Sequence, residues 1–221
     1  MTPRTRVKIC GITRVEDGVA AATAGADAIG LNFWAGTPRR VAFDQARAIA
    51  AAMPPFVARV GLFVDPAPGE VLAALAHVPL EALQFHGNED AAFCRAFGQP
   101  YLKVVHVRDG VDLLESMSQF GDAAGIVFDA WAPDDLPGGT GQGFDWGRLT
   151  GAAVARTGRP LVLSGGLDPG NVARAIRTVR PFAVDVSSGV EERDPDGRAR
   201  RGLKDAARIA AFMQGVRSAD G

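Results

Sequence analysis

The chain of 221 residues contains only two cysteines, Cys10 and Cys94, and three histidines, His77, His86 and His106. Two widely separated thiols exclude a disulfide framework and suit a reducing compartment, so a cytoplasmic location is expected. No histidine has metal-ligand spacing with another or with a cysteine, and a structural zinc site is not expected. Charge of one sign is also lacking, since 24 basic and 25 acidic side chains leave a net charge of −1. Without a long like-charge block, nucleic acid and anionic membrane surfaces are not expected partners. No apolar run approaches the roughly 18 residues that a membrane span requires. The opening Met1-Thr2-Pro3-Arg4-Thr5-Arg6 has no apolar core of a secretory signal. The phosphate motif G-x-x-x-x-G-K-[ST] is absent, and Gly138-Gly139-Thr140-Gly141-Gln142-Gly143 does not fit G-x-G-x-x-G. No Ser/Pro-rich linker divides the chain, so residues 1–221 read as one domain.

What is present is alternation. Short apolar runs at Val7–Cys10, Ala28–Phe33, Val57–Val64, Ala82–Phe85, Leu102–Val107, Gly125–Asp129, Pro160–Ser164 and Ala183–Ser187 are nearly continuous Val, Ile, Leu and Phe. Such runs suit parallel strands buried on both faces. Helix patterns lie between them: Val15–Thr23 stops at Gly25, and Asp44–Met53 starts on Asp44 as an N-cap and stops at Pro54. Asn88, Asp109, Asp145 and Asp168 offer further N-caps, and Pro169 suits a first helical turn. Eight such units at roughly 28 residues each predict a single-domain (β/α)8 barrel of the TIM type. A doubly wound open sheet is the alternative, because alternation alone does not establish closure.

In a barrel the chemistry lies at the carboxyl ends of the strands. Those positions hold Cys10, Asn32, Arg39, Asp65, Gln84, His86, Asp129, Ser164-Gly165-Gly166 and Ser187-Ser188-Gly189. The last two turns follow strands seven and eight, where such barrels commonly hold phosphate, and their glycines let backbone N–H groups approach an anion. Residues 130–144 contain two prolines and four glycines after Asp129 and read as a lid. Asp129 ends an apolar run and is a partly desolvated carboxyl. Arg39 can fork onto a carboxylate, whereas Arg40 reads as solvated. Gln84 and His86 are two apart and share one side of strand four.

Lys8 and Cys10 also share a face, so an inward Cys10 puts Lys8 one layer deeper, where it needs a counter-ion. Closure makes strands eight and one neighbours, which nominates Asp185. Lys103 is a weak Schiff-base candidate because it lies early in strand five.

Taken together, Lys8-Ile9-Cys10-Gly11-Ile12-Thr13, Thr37-Pro38-Arg39, Val60-Gly61-Leu62-Phe63-Val64, Leu83-Gln84-Phe85-His86-Gly87, Phe128-Asp129, Gly138-Gly139-Thr140-Gly141 with Phe144-Asp145-Trp146, Leu163-Ser164-Gly165-Gly166-Leu167, Val184-Asp185-Val186-Ser187-Ser188-Gly189-Val190-Glu191 and Gly202-Leu203-Lys204-Asp205 resemble the phosphoribosylanthranilate isomerase family of tryptophan biosynthesis. The resemblance runs from the first strand to the last. It implies a (β/α)8 barrel and a cofactor-free Amadori rearrangement of a phosphosugar substrate, in a monomer or a homodimer. It implies Cys10 as general base, Asp129 as general acid, Arg39 near the anthranilate carboxylate, and Gly165-Gly166 and Ser188-Gly189 as phosphate loops. Arg40 and Val41 depart from the family where an aromatic residue often follows the arginine. Thr37 replaces a commoner serine, and Phe85 an aliphatic residue.

A free thiol titrates near 8.5 and only the thiolate is basic. Lys8 is therefore expected to ease ionisation of Cys10 unless a carboxylate neutralises it. Other phosphate-binding barrels are the rivals. A histidine-pathway isomerase would favour an aspartate at position 10, and an indole-forming synthase would need a lysine at a strand end. A non-catalytic phosphosugar-binding barrel would lack the acid and base.

Overall fold

The valine-, isoleucine-, leucine- and phenylalanine-rich runs become the wall of a closed barrel in a computed structural model, which describes residues 4–107, 113–130, 145–149 and 158–221. The strands are β1 (Arg6–Cys10), β2 (Ala28–Asn32), β3 (Ala58–Phe63), β4 (Ala82–Phe85), β5 (Tyr101–Val107), β6 (Gly125–Ala130), β7 (Leu161–Leu163) and β8 (Ala183–Val186). Each pairs in parallel with the next, and β1 closes on β8 with Lys8 opposite Asp185. Closure removes the open-sheet alternative.

Alternation along each strand separates two compartments. Ile9, Ile29, Leu83, Ile126, Phe128 and Val184 face outward and join helix residues such as Ile49, Val71, Ile209 and Phe212 in the main core. Burying each such side chain contributes about 1.5–3 kcal/mol. The other parity fills the barrel. Val104, Val127, Val162 and Ala183 form a small apolar cluster of their own, with Leu102 against it. Two residues further along their strands come His106, Asp129, Ser164 and Asp185, so an apolar floor underlies a polar mouth.

The helices differ from expectation mainly at their ends. Helix Val15–Ala24 stops at Gly25, whose φ of 100° needs glycine. The next helix is Phe43–Ala51, with Asp44 inside its first turn rather than before it. Asp90, not Asn88, caps helix Ala91–Arg95 by accepting from the Phe93 N–H. Asn88 instead donates to Asp65. Asp145 precedes a 3-10 turn at Trp146–Leu149, and accepts from the Gly147 N–H. Asp168 accepts from the N–H groups of Gly170 and Asn171, which makes residues 168–171 a turn. Pro169 lies in that turn, and the helix begins only at Val172. Asp109, and the stretch 131–144 read as a lid, lie outside the described residues.

One element was not expected. After β8 the chain forms an antiparallel hairpin, β9 (Glu191–Arg193) and β10 (Ala199–Lys204), before helix Ala206–Asp220. The turn Asp194-Pro195-Asp196-Gly197 makes it possible, with Gly197 at φ 81°. The hairpin pairs Lys204 with Glu191 at the barrel mouth.

Candidate active site

Cys10 ends β1, and Gly11 turns the chain away at φ 72°. A Cβ at Gly11 would lie 2.7 Å from Arg39 Cδ, so glycine is what lets Arg39 cross the end of β1. Cys10, Asn32, Thr37, Arg39, Gln84, His86, Asp129, Ser164, Asp185 and Ser187 line one cavity of about 40 Å³. Gly165, Gly166, Ser188 and Gly189 lie in the adjoining loops rather than in that lining. Asp65 lines a separate pocket with Phe33, Phe43 and Phe63.

Lys8 and Asp185 both point into the barrel, with Lys8 Nζ 3.0 Å from each carboxylate oxygen. Burial opposes the charge on Lys8, but Asp185 and then Cys10 outweigh it and raise its pKa. Asp185 thus neutralises the lysine that would otherwise favour a thiolate above it. Burial pushes the Cys10 thiol up; Lys8 offsets part of this, Asp185 adds to it, and Lys204 draws it down. The net direction is upward, and the carboxylate that would limit the help from Lys8 is in place.

Asp129 lies one residue before the end of β6, on the other side of the mouth. Its Oδ1 accepts from the Ala130 N–H at 2.9 Å, and its Oδ2 is 3.3 Å from His86 Nε2. That nitrogen and Gln84 Oε1 are buried and make no hydrogen bond to a described residue. Orphaned polar atoms are rare in native interiors, and at a cavity wall they are natural contacts for a ligand. His106, which sequence reasoning left unassigned, lies beside His86 with ring centroids 5.0 Å apart and the ring planes tilted by 41°. Burial and then His86 push its pKa down.

The Ser/Gly turns interlock. Gly165 and Gly166 have φ of 83° and 66°. A Cβ at Gly165 would collide with the Ala130 backbone, and one at Gly189 with the Leu167 carbonyl. The backbone N–H groups of Gly166, Ser188 and Gly189 donate to no acceptor among the described residues. Adjacent donors of this kind can bind an anion.

Lys103 faces outward from β5, in the layer that holds Phe120. It is held by Glu89 at 2.8 Å and the Gly87 carbonyl at 2.6 Å, so it does not reach the mouth. Two groups overlooked at the mouth are Glu191, which pairs with Arg39, and Lys204, which reaches Glu191 and Ser187. Their signal was the Pro-Asp-Gly turn that brings them back to the barrel.

The family description "N-(5'phosphoribosyl)anthranilate (PRA) isomerase" matches residues 7–215. The chain belongs to this family. An N-(5'-phosphoribosyl)anthranilate isomerase of Alcanivorax borkumensis is 49% identical, over 96% of the chain and 95% of the relative. One of Pseudomonas aeruginosa is 50% identical, over 98% of the chain and 97% of the relative. Among solved structures, phosphoribosyl anthranilate isomerase of Thermotoga maritima superposes with a TM-score of 0.84 at 39% identity, over 96% of the chain and 98% of its own. Another solved isomerase, in complex with reduced 1-(o-carboxyphenylamino)-1-deoxyribulose 5-phosphate, gives 0.81 at 38% identity, over 96% of the chain and 98% of its own.

Proposed function

We propose that Cys10 acts as general base and Asp129 as general acid in the isomerisation of N-(5-phosphoribosyl)anthranilate. The reaction is the Amadori rearrangement to 1-(2-carboxyphenylamino)-1-deoxyribulose 5-phosphate in tryptophan biosynthesis, the activity of the family to which the chain belongs. The observation that carries the residue roles is that Cys10 on β1 and Asp129 on β6 line the same cavity from different sides.

Asp129 donates a proton to the ribose ring oxygen, and the ring opens to a protonated Schiff base. The Cys10 thiolate then removes the C2 proton, and the imine accepts the electron pair as the enamine forms. Tautomerisation gives the ketone, so the protons balance without an oxidant. At about 40 Å³ the cavity is too small to take the whole phosphosugar. The phosphosugar therefore lies above it, with C2 and the ring oxygen directed inward. Gly165-Gly166 and Ser188-Gly189 hold the phosphate, with Ser187 beside them. Arg39 meets the aryl carboxylate, and Gln84, His86 and Asp185 complete the wall around the sugar.

Residues 1–221 constitute one barrel domain in this reading. A cytoplasmic location is supported by the two buried free thiols. Between monomer and homodimer, the dimer is supported by a relative, since the isomerase of Thermotoga maritima is described as dimeric. The solved structure that describes it so is itself of monomers generated from that dimeric enzyme. Sedimentation showing only monomer at micromolar concentration would remove the dimer from this reading.

The decisive experiment follows the fluorescence of freshly generated phosphoribosylanthranilate. Cys10→Ala and Asp129→Asn should each lower turnover by about a hundredfold or more while substrate still binds. Near-native turnover in either variant sinks the assignment.

A further inference from the structure

Three charged side chains lie buried together at the edge of the mouth, and the acid–base steps use none of them for chemistry. Glu191 is 0% exposed, Lys204 3% and Arg39 6%. Glu191 opens β9, Lys204 closes β10, and the hairpin register sets them opposite each other. Glu191 Oε1 accepts from Arg39 Nε at 2.7 Å, the Gly202 N–H at 2.9 Å and Lys204 Nζ at 3.2 Å. Its Oε2 accepts from Arg39 Nη2 at 2.9 Å. Lys204 also donates to the Ser187 carbonyl at 3.0 Å and to Ser187 Oγ at 3.3 Å. One carboxylate thus links the arginine on the β2 loop to the turn after β8.

Taking three charges out of water is a poor route to stability, because desolvation offsets much of the attraction. It is a good route to fixed geometry. A free arginine side chain samples many rotamers, whereas a two-point fork onto a carboxylate fixes the plane of the guanidinium. The fork uses the Nε and Nη2 edge. A guanidinium carries five donors in one plane, so fixing that plane fixes the plane in which a second carboxylate meets it. Burial works to raise the Glu191 carboxyl, but Arg39, Lys204 and the Gly202 N–H overcome it and hold the pKa at about 2. The carboxylate is therefore ionised, and able to hold the fork, near neutral pH.

We propose that Glu191 is a positioning residue that confers preference for a substrate bearing an aryl carboxylate by aiming Arg39, with Lys204 bracing Glu191 against the Ser187 turn. This rests on the assignment of Arg39 to the aryl carboxylate made above.

The test compares two ligands by calorimetry. One is reduced 1-(2-carboxyphenylamino)-1-deoxyribulose 5-phosphate, and the other is its phenylamino counterpart without the carboxylate. Glu191→Gln should weaken the carboxylated ligand by about tenfold or more and leave the other nearly unchanged, so that discrimination collapses. Its KM should rise with kcat largely kept. Arg39→Met should erase the same discrimination, and the double variant should lose nothing further. If Glu191→Gln weakens both ligands equally, or neither, the proposal is overturned. If Arg39→Met leaves discrimination intact, the assignment of Arg39 itself fails, which is a separate outcome. Should Glu191→Gln not fold, Glu191→Asp carries the test. It keeps the charge but retracts the fork by one methylene, and unchanged discrimination in that variant overturns the proposal.

Discussion

Gly30 stands opposite Cys10 across the β1–β2 ladder, and a Cβ at Gly30 would lie 2.8 Å from the Cys10 sulfur and 3.2 Å from Lys8 Cε. The thiol and the ammonium stem occupy space that any other residue on β2 would take. Gly30→Ala should therefore shift both groups and lower kcat sharply, with a stability cost of about 1–3 kcal/mol. Chemical denaturation together with steady-state kinetics checks this. Unchanged kcat would mean that the sulfur position is not critical.

Lys8 is the largest influence favouring the Cys10 thiolate against burial. Replacing it by methionine should raise the thiol pKa further, whether Asp185 stays ionised or takes up a proton. The sign follows from the base being active only when deprotonated, so activity grows as pH rises through the thiol pKa. Lys8→Met should move the rising limb of kcat/KM to higher pH and lower the rate at neutral pH. A limb that stays in place would separate Lys8 from the ionisation of Cys10.

Glu191 predicts an acid limb in stability. Its carboxyl falls from an ordinary 4.5 to about 2 in the folded chain. A depressed carboxylate stabilises the fold above its unfolded pKa, and that contribution is lost as pH falls through the folded value. About 3 kcal/mol should disappear between roughly pH 5 and pH 2. Denaturant midpoints measured at pH 7 and pH 3 should differ less in Glu191→Gln than in the unmodified chain.

The Gly165 turn is the fourth test. Its φ of 83° and its contact with the Ala130 backbone leave no room for a side chain. A Cβ there would also lie 2.9 Å from Asp129 Oδ1. Gly165→Ala should weaken inorganic phosphate as a competitive inhibitor and reduce turnover together. Loss of turnover with phosphate inhibition unchanged would detach this turn from anion binding.

All eight barrel strands were legible within about one residue because parallel strands buried on both faces must be apolar throughout. Counting by twos from Cys10 brought Lys8 inward, and closure of strand eight on strand one chose Asp185, whose carboxylate meets it. The helix starts were less legible. Asn88 and Asp90 are both good caps, and only the packed structure decides between them. The hairpin was missed because Glu191–Lys204 is rich in charge and has no alternating apolar face, although Pro195-Asp196-Gly197 announces a tight turn. Glu191 and Lys204 escaped notice with it. An ionised residue in a charged stretch looks solvated until its partner, Arg39, arrives from a loop 152 positions away.

The valine floor under the mouth has a consequence for how salt should act. Val104, Val127 and Val162 give the charges above them a poorly polarisable base, and counter-ions do not reach beneath it. Fields among Lys8, Asp185, Cys10 and the bound sugar are then felt at interior permittivity, while the anionic substrate is drawn in through screened water. Ionic strength should thus govern how fast the substrate is captured and leave the rate of its conversion almost untouched.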